Sequence, residues 1–428
     1  MDNNKDGEKK KDSGSLGGDN QTPSKQLNIL NDNDNTTKTV TAKITVRRRH
    51  TRRQKVNPGA SRITHTGTNR KRNVMSMPTP YHEKSLVLRL LQIVKLQNPS
   101  LDEKPGIIPP PFSLGGLLDD CIKKGIEGLT IEFVSLSRSR PNPADYVTFL
   151  LPENRQRNRY RDILCLENGR VKLKDVPNDY IHANYVKTPR SDKAFICTQG
   201  PTDKSCADFW KMCLQEEVEY IIMLCQFEEN GIKKCAKYYP FEVGGSLTFG
   251  STVVTNEKLN ECTDNDMRDI NLKIQCDNVN KTIRHLQYLG WPDKGVPDIT
   301  DTLFNILDIV KNSTKPVVVH CSAGIGRTGT FVLIQNMMER VYNPQNGGND
   351  TTIQIIKDMR NYRHGVVQTD FQYIFAHRLV LGNYIKTKKI DAEGHRDLNR
   401  WIISYKKIYE KYISTCRPSK TGTVEEET

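Results

Sequence analysis

The sequence predicts an α/β fold, a single domain in which helices flank a twisted, mixed β-sheet. Short apolar runs of strand length alternate with segments of helical periodicity between residues 113 and 390. That span, about 280 residues, is long enough to bury one hydrophobic core. The chain has no internal repeat, which argues against a solenoid or a propeller.

The elements of this domain follow from the apolar pattern. Short buried strands are predicted at 192–198, at 220–225, which is a continuous apolar run, and at 316–320. Apolar residues at helical spacing predict helices at 299–312, 328–342, 351–363 and 370–388. Such an alternation is typical of an α/β domain built around one sheet.

The chain outside this domain has a different composition. Residues 1–80 are rich in polar residues and poor in aromatic ones, so they bury too little apolar surface to offset their chain entropy. We therefore expect a disordered tail there. An amphipathic helix and a proline-rich linker are expected at 81–112, the folded domain at 113–390, and a C-terminal helix and tail at 391–428.

The net charge of +14 is concentrated in one short tract. Residues 38–72 contain twelve Lys and Arg and no Asp or Glu, whereas the chain from residue 73 onward carries only +4. The two basic clusters, 47–55 and 70–72, fit a nuclear-localisation signal, a contact with acidic partners or nucleic acid, or a tether to an anionic membrane. A solvated tail fits them equally well. No aromatic residue separates the clusters, so base stacking is not predicted.

Composition also argues against several classes of protein. The first twelve residues lack the apolar core of a secretory signal, and no apolar run approaches the ~18–20 residues of a membrane helix. The 11 cysteines are irregularly spaced without a C-x-x-C pair, so neither a zinc site nor a disulfide scaffold is expected. We therefore expect a cytoplasmic protein, with the basic tract as a route to the nucleus.

A glycine-containing loop connects a predicted strand to a predicted helix. Gly324, Gly326 and Gly329 satisfy the G-x-G-x-x-G pattern of dinucleotide-binding loops. That pattern requires a second strand and an acidic residue about 20 positions further on. Here the following segment stays helical and its nearest acidic residue, Glu339, lies within the helix. A dinucleotide site is therefore not predicted.

Cys321 and Arg327 stand at the two ends of this loop, residues 321–327, which we call the phosphate loop. Backbone N–H groups converging at a helix N-terminus bind an anion such as phosphate, and their field stabilises a thiolate. The planar guanidinium of an arginine binds two phosphate oxygens at once. One loop therefore supplies a nucleophile, an anion cradle and a cation, which predicts phosphate chemistry at Cys321.

Residues 320–329, HCSAGIGRTG, resemble the signature loop of the tyrosine-specific, cysteine-dependent protein phosphatases, in particular those of the non-receptor type. The resemblance covers about 113–390. Other segments similar to family motifs follow in the family's order at 158–162, 179–184, 195–201, 291–293 and 368–373. The resemblance implies hydrolysis of phosphotyrosine through a phosphocysteine intermediate, with phosphotyrosine-containing proteins as partners and no metal or organic cofactor.

The resemblance also implies a role for each matching residue. Cys321 is the nucleophile and Arg327 binds the phosphate. Asp293, in the acid loop at 290–297, is the general acid and then the base, and Gln368 positions the hydrolytic water. The residues implied to bind substrate are Tyr160, Asp162, Ser322, Ala323, Gly324, Ile325, Gly326 and Gln372. The residues implied to support the site are His320, Thr328, Glu229 and Trp291, with Arg360 and Arg363 as further braces.

The sequence departs from the family pattern at three positions. His182 replaces a usual Asn, Tyr239 a common Trp, and Lys294 an aromatic residue found in several relatives. None of these changes removes a catalytic group, so we predict an active enzyme. The alternatives are a phosphotyrosine-binding module with little turnover and a nucleic-acid or membrane binder directed by the tail. Retention of Cys321, Arg327 and Asp293 together argues against the binding module.

Overall fold

The computed structural model describes residues 114–136, 140–262, 264–342, 351–388 and 395–416. The predictions for 1–80 and 81–112, including the basic tract, lie outside the described residues, as does the tail beyond residue 416.

A nine-stranded mixed sheet forms the centre of the fold, and two further strands, β5 and β6, pair separately. The strands are β1 (Arg170–Lys172), β2 (Tyr180–Thr188), β3 (Ser191–Gln199), β4 (Tyr220–Met223), β5 (Glu228–Glu229), β6 (Ile232–Lys233), β7 (Ser246–Phe249), β8 (Thr252–Leu259), β9 (Met267–Cys276), β10 (Val279–Tyr288) and β11 (Val317–Cys321). Their order in the large sheet is β1-β2-β3-β11-β4-β10-β9-β8-β7. The four central strands, β3, β11, β4 and β10, run parallel, and the outer neighbours are antiparallel.

The described residues also form eight α-helices, the last of which lies beyond residue 390. The α-helices are α1 (Leu114–Ser135), α2 (Val147–Leu150), α3 (Cys206–Gln215), α4 (Thr302–Val310), α5 (Arg327–Tyr342), α6 (Thr352–Arg360), α7 (Asp370–Lys388) and α8 (Arg396–Cys416). Two short 3₁₀ turns lie at Pro143–Tyr146 and Pro152–Asn154. No helix in the described ranges is long and apolar enough to cross a membrane.

The predicted α/β class with a mixed sheet is confirmed. The predicted strands correspond to β3, β4 and β11, and the predicted helices to α4, α5, α6 and α7, with boundaries shifted by up to three residues. The antiparallel strands β7, β8 and β9 were not predicted. Their residues alternate between covered and exposed positions, so they lack a continuous apolar run.

The middle of the sheet brings the phosphate loop to one edge. β11 is buried along its whole length and pairs in parallel with β3 and β4, which places Cys321 opposite Gln199 at the carboxyl end. Strands covered on both faces are nearly all apolar, as the run Val317–Cys321 is before its last two residues. The chain then turns into α5, whose first turns are also buried. Ligands bind at such carboxyl edges of parallel strands.

Candidate active site

The phosphate loop curls around the sulfur of Cys321. Cys321 is buried, and the backbone N–H of Gly324 donates a hydrogen bond to its Sγ at 3.2 Å. Gly324 has a φ of 69°, and a Cβ placed on it would lie 2.1 Å from the carbonyl oxygen of Thr198. Only glycine fits this position, because both the left-handed backbone and the close approach exclude a side chain.

Arg363 braces the outer side of the phosphate loop. Its guanidinium is fully buried and donates to the carbonyl oxygens of Gly324 and Ala323, both at 3.1 Å. It also donates to Asn184 Oδ1 at 3.0 Å and to His182 Nδ1 at 2.9 Å. Two loop carbonyls are thus engaged by Arg363 behind the loop, while the amide of Gly324 faces the sulfur.

Arg327, at the first turn of α5, is buried and bound by Glu229. Its Nη1 and Nη2 atoms donate to the two Glu229 oxygens at 2.6 and 3.0 Å, a bidentate pair. Nη1 also donates to the carbonyl oxygen of Trp291 at 2.9 Å. Burial alone would lower the pKa of Arg327, but the Glu229 hydrogen bonds and nearby negative charge outweigh it and raise the pKa. The cation is therefore permanent and fixed in orientation.

Asp293 lies between two cations. Its Oδ1 is 3.3 Å from Arg327 Nη2, and its Oδ2 is 2.6 Å from Lys234 Nζ. Burial would raise the pKa of Asp293, but Arg327 and Lys234 outweigh it and lower the pKa, with Lys294 adding to their effect. Asp293 is thus an anion when the phosphate loop is empty. Sequence reasoning missed Lys234 as a site residue.

The acid loop is anchored through the backbone of Gly295. The indole N–H of the buried Trp291 donates to the Gly295 carbonyl at 3.0 Å, and Gln372 Nε2 donates to the same oxygen at 3.4 Å. Trp291 also packs edge-on against Phe375 of α7, with ring centroids 5.9 Å apart. These contacts connect the acid loop to the helix that carries Gln372.

Gln368 and Gln372 lie against the phosphate loop at Gly326. A Cβ on Gly326 would be 2.5 Å from Gln368 Oε1 and 3.3 Å from Gln372 Nε2. The Gln368 backbone N–H donates to Gln372 Oε1 at 3.0 Å. Arg360 donates to the carbonyl oxygens of Val366 and Val367, at 3.1 and 3.0 Å, and so braces the segment before Gln368.

Tyr160 packs against the phosphate loop, and Asp162 follows it two residues later in the chain. The Tyr160 hydroxyl lies 2.8 Å from Ser322 Oγ, which itself donates to the Lys234 carbonyl at 2.9 Å. Tyr160 joins a small apolar cluster with Ile163, Ala323 and Ile325. Asp162 Oδ1 is buried and has no hydrogen-bond partner among the described residues. A buried acceptor without a partner can take a hydrogen bond from an incoming N–H group.

Three buried side chains, His320, Tyr238 and His285, form a hydrogen-bonded chain next to Cys321. His320 Nδ1 lies 3.3 Å from the Cys321 carbonyl oxygen, and His320 Nε2 is 2.7 Å from the Tyr238 hydroxyl. That hydroxyl is also 2.6 Å from His285 Nε2. Burial lowers the pKa of His320 to about 4, so the ring is neutral at neutral pH. Thr328 is fully buried, and its hydroxyl has no hydrogen-bond partner among the described residues. Sequence reasoning missed Tyr238 and His285.

The three residues that differ from the family pattern, His182, Tyr239 and Lys294, all lie in described parts of the chain. The His182 ring bridges Arg363 and the carbonyl oxygen of Ile163, the latter at 2.9 Å from Nε2. Tyr239 is buried, and its hydroxyl donates to Gln287 Oε1 at 2.9 Å. Lys294 is exposed and has a φ of 58°.

Comparison with known proteins places this geometry in a family. The family model of the protein-tyrosine phosphatases matches residues 154–382. The chain is 30% identical over 320 residues to mouse (Mus musculus) tyrosine-protein phosphatase non-receptor type 9, covering 69% of this chain and 53% of that protein. It is 35% identical over 293 residues to the rat (Rattus norvegicus) non-receptor type 2 enzyme, covering 64% and 65%. The chain thus spans about half the length of the first of these relatives and less than two thirds of the second.

A solved structure has the same fold over the described domain. It is titled PTPN18 in complex with HER2-pY1196 phosphor-peptides, and it matches with a TM-score of 0.58 and 27% identity. The match covers 63% of this chain and 98% of that one. That protein was therefore captured with phosphopeptides bound.

Proposed function

Because the chain belongs to the protein-tyrosine phosphatase family, we propose that it hydrolyses phosphotyrosine in proteins through a phosphocysteine intermediate. One observation carries the proposal. The Cys321 sulfur accepts a loop N–H, while Arg327 at the other end of that loop lies 3.3 Å from the Asp293 carboxylate. A nucleophile, a phosphate-binding cation and a proton donor thus meet at one place.

Substrate binding uses the phosphate loop and the wall beside it. The phosphate dianion sits on the loop amides and on the guanidinium of Arg327, which Glu229 holds in place. The phenyl ring packs against Tyr160, and Asp162 accepts an N–H from the peptide. A pocket with this wall favours phosphotyrosine, since phosphoserine and phosphothreonine are too short to reach Cys321.

The first chemical step transfers the phosphoryl group to sulfur. The Cys321 thiolate attacks phosphorus, an S–P bond forms, and the bond from phosphorus to the tyrosyl oxygen breaks. Asp293 donates its proton to the leaving oxygen, so that neutral tyrosine departs. Binding of a dianion beside Arg327 opposes the positive field that otherwise keeps Asp293 ionised, and so favours the protonated acid.

The second step returns the enzyme to its starting state. The Asp293 carboxylate takes a proton from a water molecule that Gln368 and Gln372 orient next to Gly326. The oxygen of that water attacks phosphorus and the S–P bond breaks. Inorganic phosphate leaves and the thiolate is regenerated. Every proton and electron pair in this cycle is supplied by residues of the chain or by water.

We also propose that the basic tract, residues 38–72, directs where the protein is located in the cell. Residues 38–72 lie outside the described residues, and their charge suits recognition by the nuclear import machinery or another acidic partner. Deleting 38–72 and imaging the full chain in cells tests this. Loss of nuclear signal supports a targeting role, and an unchanged distribution rejects it.

Hydrolysis of a phosphotyrosyl peptide by the full chain tests the main proposal. We expect phosphate release by the wild type, in the presence of a metal chelator, and release at background by Cys321→Ser. If the two proteins release phosphate equally, the enzymatic proposal fails. If the wild type then still binds the peptide, the binding-module alternative stands.

A further inference from the structure

Helix α8 lies against the acid loop. The hydroxyl oxygen of the buried Tyr412 is 1.7 Å from where a Cβ on Gly295 would stand, so the Tyr412 side chain occupies the space beside that glycine. One helical turn earlier, the Tyr409 hydroxyl donates to Asp298 Oδ1. Gly295 and Asp298 follow Asp293 by only a few residues. Two tyrosines of one helix therefore contact the acid loop and the residue just after it.

Aromatic packing fixes the position of these tyrosines. The Phe371 ring at the start of α7 contacts Tyr412 edge-on at 4.9 Å, and it also packs against Tyr405 and Tyr409 at 6.0 and 6.3 Å. Tyr405 and Tyr409 stack on each other at 6.2 Å. The hydroxyls of Tyr409 and Tyr412 are thus presented by a packed surface rather than by free side chains.

Hydrogen bonds connect Gly295, which Tyr412 contacts, to the catalytic groups. Its carbonyl accepts the Trp291 indole N–H and the Gln372 amide, and the Trp291 carbonyl in turn accepts from Arg327. Moving Gly295 therefore moves the segment that brings Asp293 next to Arg327.

We propose that Tyr409 and Tyr412 are positioning residues that hold the acid loop in the arrangement in which Asp293 reaches the leaving group. They touch no reacting atom and act through Gly295 and Asp298. The inference rests on the proposed phosphatase function, because it assigns these tyrosines to the delivery of its proton.

Leaving-group dependence in the full chain separates this role from general packing. 4-Nitrophenyl phosphate has a stable leaving anion and needs little protonation, whereas phenyl phosphate needs the acid. We expect Tyr409→Phe and Tyr412→Phe to lower kcat/KM, which reports the first step alone, about tenfold on phenyl phosphate and less than about twofold on 4-nitrophenyl phosphate. Tyr405→Phe is the matched control, because its buried hydroxyl has no partner among the described residues. Equal losses on both substrates would overturn the proposal.

A measurement that needs no turnover makes the inference independent of the enzymatic proposal. Hydrogen exchange of the amides in 291–298 should be several-fold faster in both tyrosine variants than in the wild type, and unchanged in Tyr405→Phe. Unchanged exchange in the tyrosine variants rejects the positioning role. Absent phosphatase activity in the wild type, with exchange altered as expected, rejects only the proposed function.

A reciprocal variant tests the contact from the other side. Gly295→Ala places a methyl group on the Tyr412 hydroxyl and should slow phenyl phosphate hydrolysis. Adding Tyr412→Leu should then cost nothing more, because the collision is gone. Independent, multiplying losses in the double variant would contradict direct contact.

Discussion

The ammonium nitrogen of Lys234 lies 2.6 Å from a carboxylate oxygen of Asp293, and Arg327 lies 3.3 Å from the other oxygen. The residue proposed to deliver a proton is therefore surrounded by cations that favour its ionised form. Arg327 must stay, since it binds the phosphate. Lys234 is the partner that can be removed to measure how the acid is controlled.

We expect Lys234→Met to raise the pKa of Asp293, because one of the cations that lower it is gone and burial is left less opposed. The proposed acid must be protonated in the first step, so the alkaline limb of kcat/KM against pH, which reports the free enzyme, should move to higher pH. Initial rates on a phosphotyrosyl peptide across the pH range measure this shift. Lys237→Met, which removes an exposed cation of the same segment, is the control. A limb that stays in place or moves to lower pH in Lys234→Met would show that Lys234 does not set the charge of Asp293.

We expect Gly324→Ala to disrupt phosphate binding by the phosphate loop. The new Cβ would stand 2.1 Å from the Thr198 carbonyl on a backbone with φ of 69°, so the loop has to shift and its N–H leaves Cys321. We expect kcat to fall by about 10²-fold, as when one donor to a developing anion is lost. Phosphopeptide hydrolysis measures this loss. Gly115→Ala in α1, where nothing lies within 4 Å, should keep full activity, and a similar loss there would contradict the steric explanation.

The parallel centre of the fold was predictable because burial on both faces leaves nearly continuous apolar runs, as in β4 and β11. The antiparallel β9 was not predicted, since it alternates and even buries a carboxylate, Asp269, whose charge is met by Arg284 of β10. The Asp269–Arg284 ion pair depends on the register between β9 and β10, so no local sequence pattern predicts it.

The site shows the same division. Cys321 and Arg327 were predicted because one short loop contains both. Lys234 was missed, since its meaning comes from an ion pair across 59 residues of chain. Tyr409 and Tyr412 were missed for the same reason, because only the folded position of α8 brings them to the acid loop.

Arg363→Lys should destabilise the fold while keeping the charge. The guanidinium serves four acceptors, two of them loop carbonyls, and an ammonium cannot reach them all in the same plane. At least one buried acceptor is left unpaired, so we expect the free energy of unfolding to fall by about 2 kcal/mol or more. Urea unfolding measures it. Arg157→Lys, at a partly exposed pair with Asp208, should cost less than about 1 kcal/mol, and equal costs would argue against the brace.

The surroundings of His182 predict how stability depends on pH. Arg363 donates to its Nδ1, so Nδ1 must be the unprotonated acceptor and Nε2 carries the proton given to the Ile163 carbonyl. A second proton would face the guanidinium. Burial first, and the Arg363 charge second, lower the pKa of His182 from 6.5 to about 3.

The sign of the effect follows from proton binding. Below pH 6.5 the unfolded chain binds a proton at His182 that the folded chain does not, so this contribution is complete above pH 6.5 and falls as the pH falls toward about 3. At about pH 4.5 the loss from this residue should be on the order of 2–3 kcal/mol. Asparagine does not titrate, so His182→Asn should flatten the dependence of the unfolding free energy on pH between those values. Urea unfolding at a series of pH values measures both curves, with His395→Asn at an exposed histidine as the control. Parallel curves for the wild type and His182→Asn would mean that His182 takes up its proton in the folded state, which the Arg363 contact forbids.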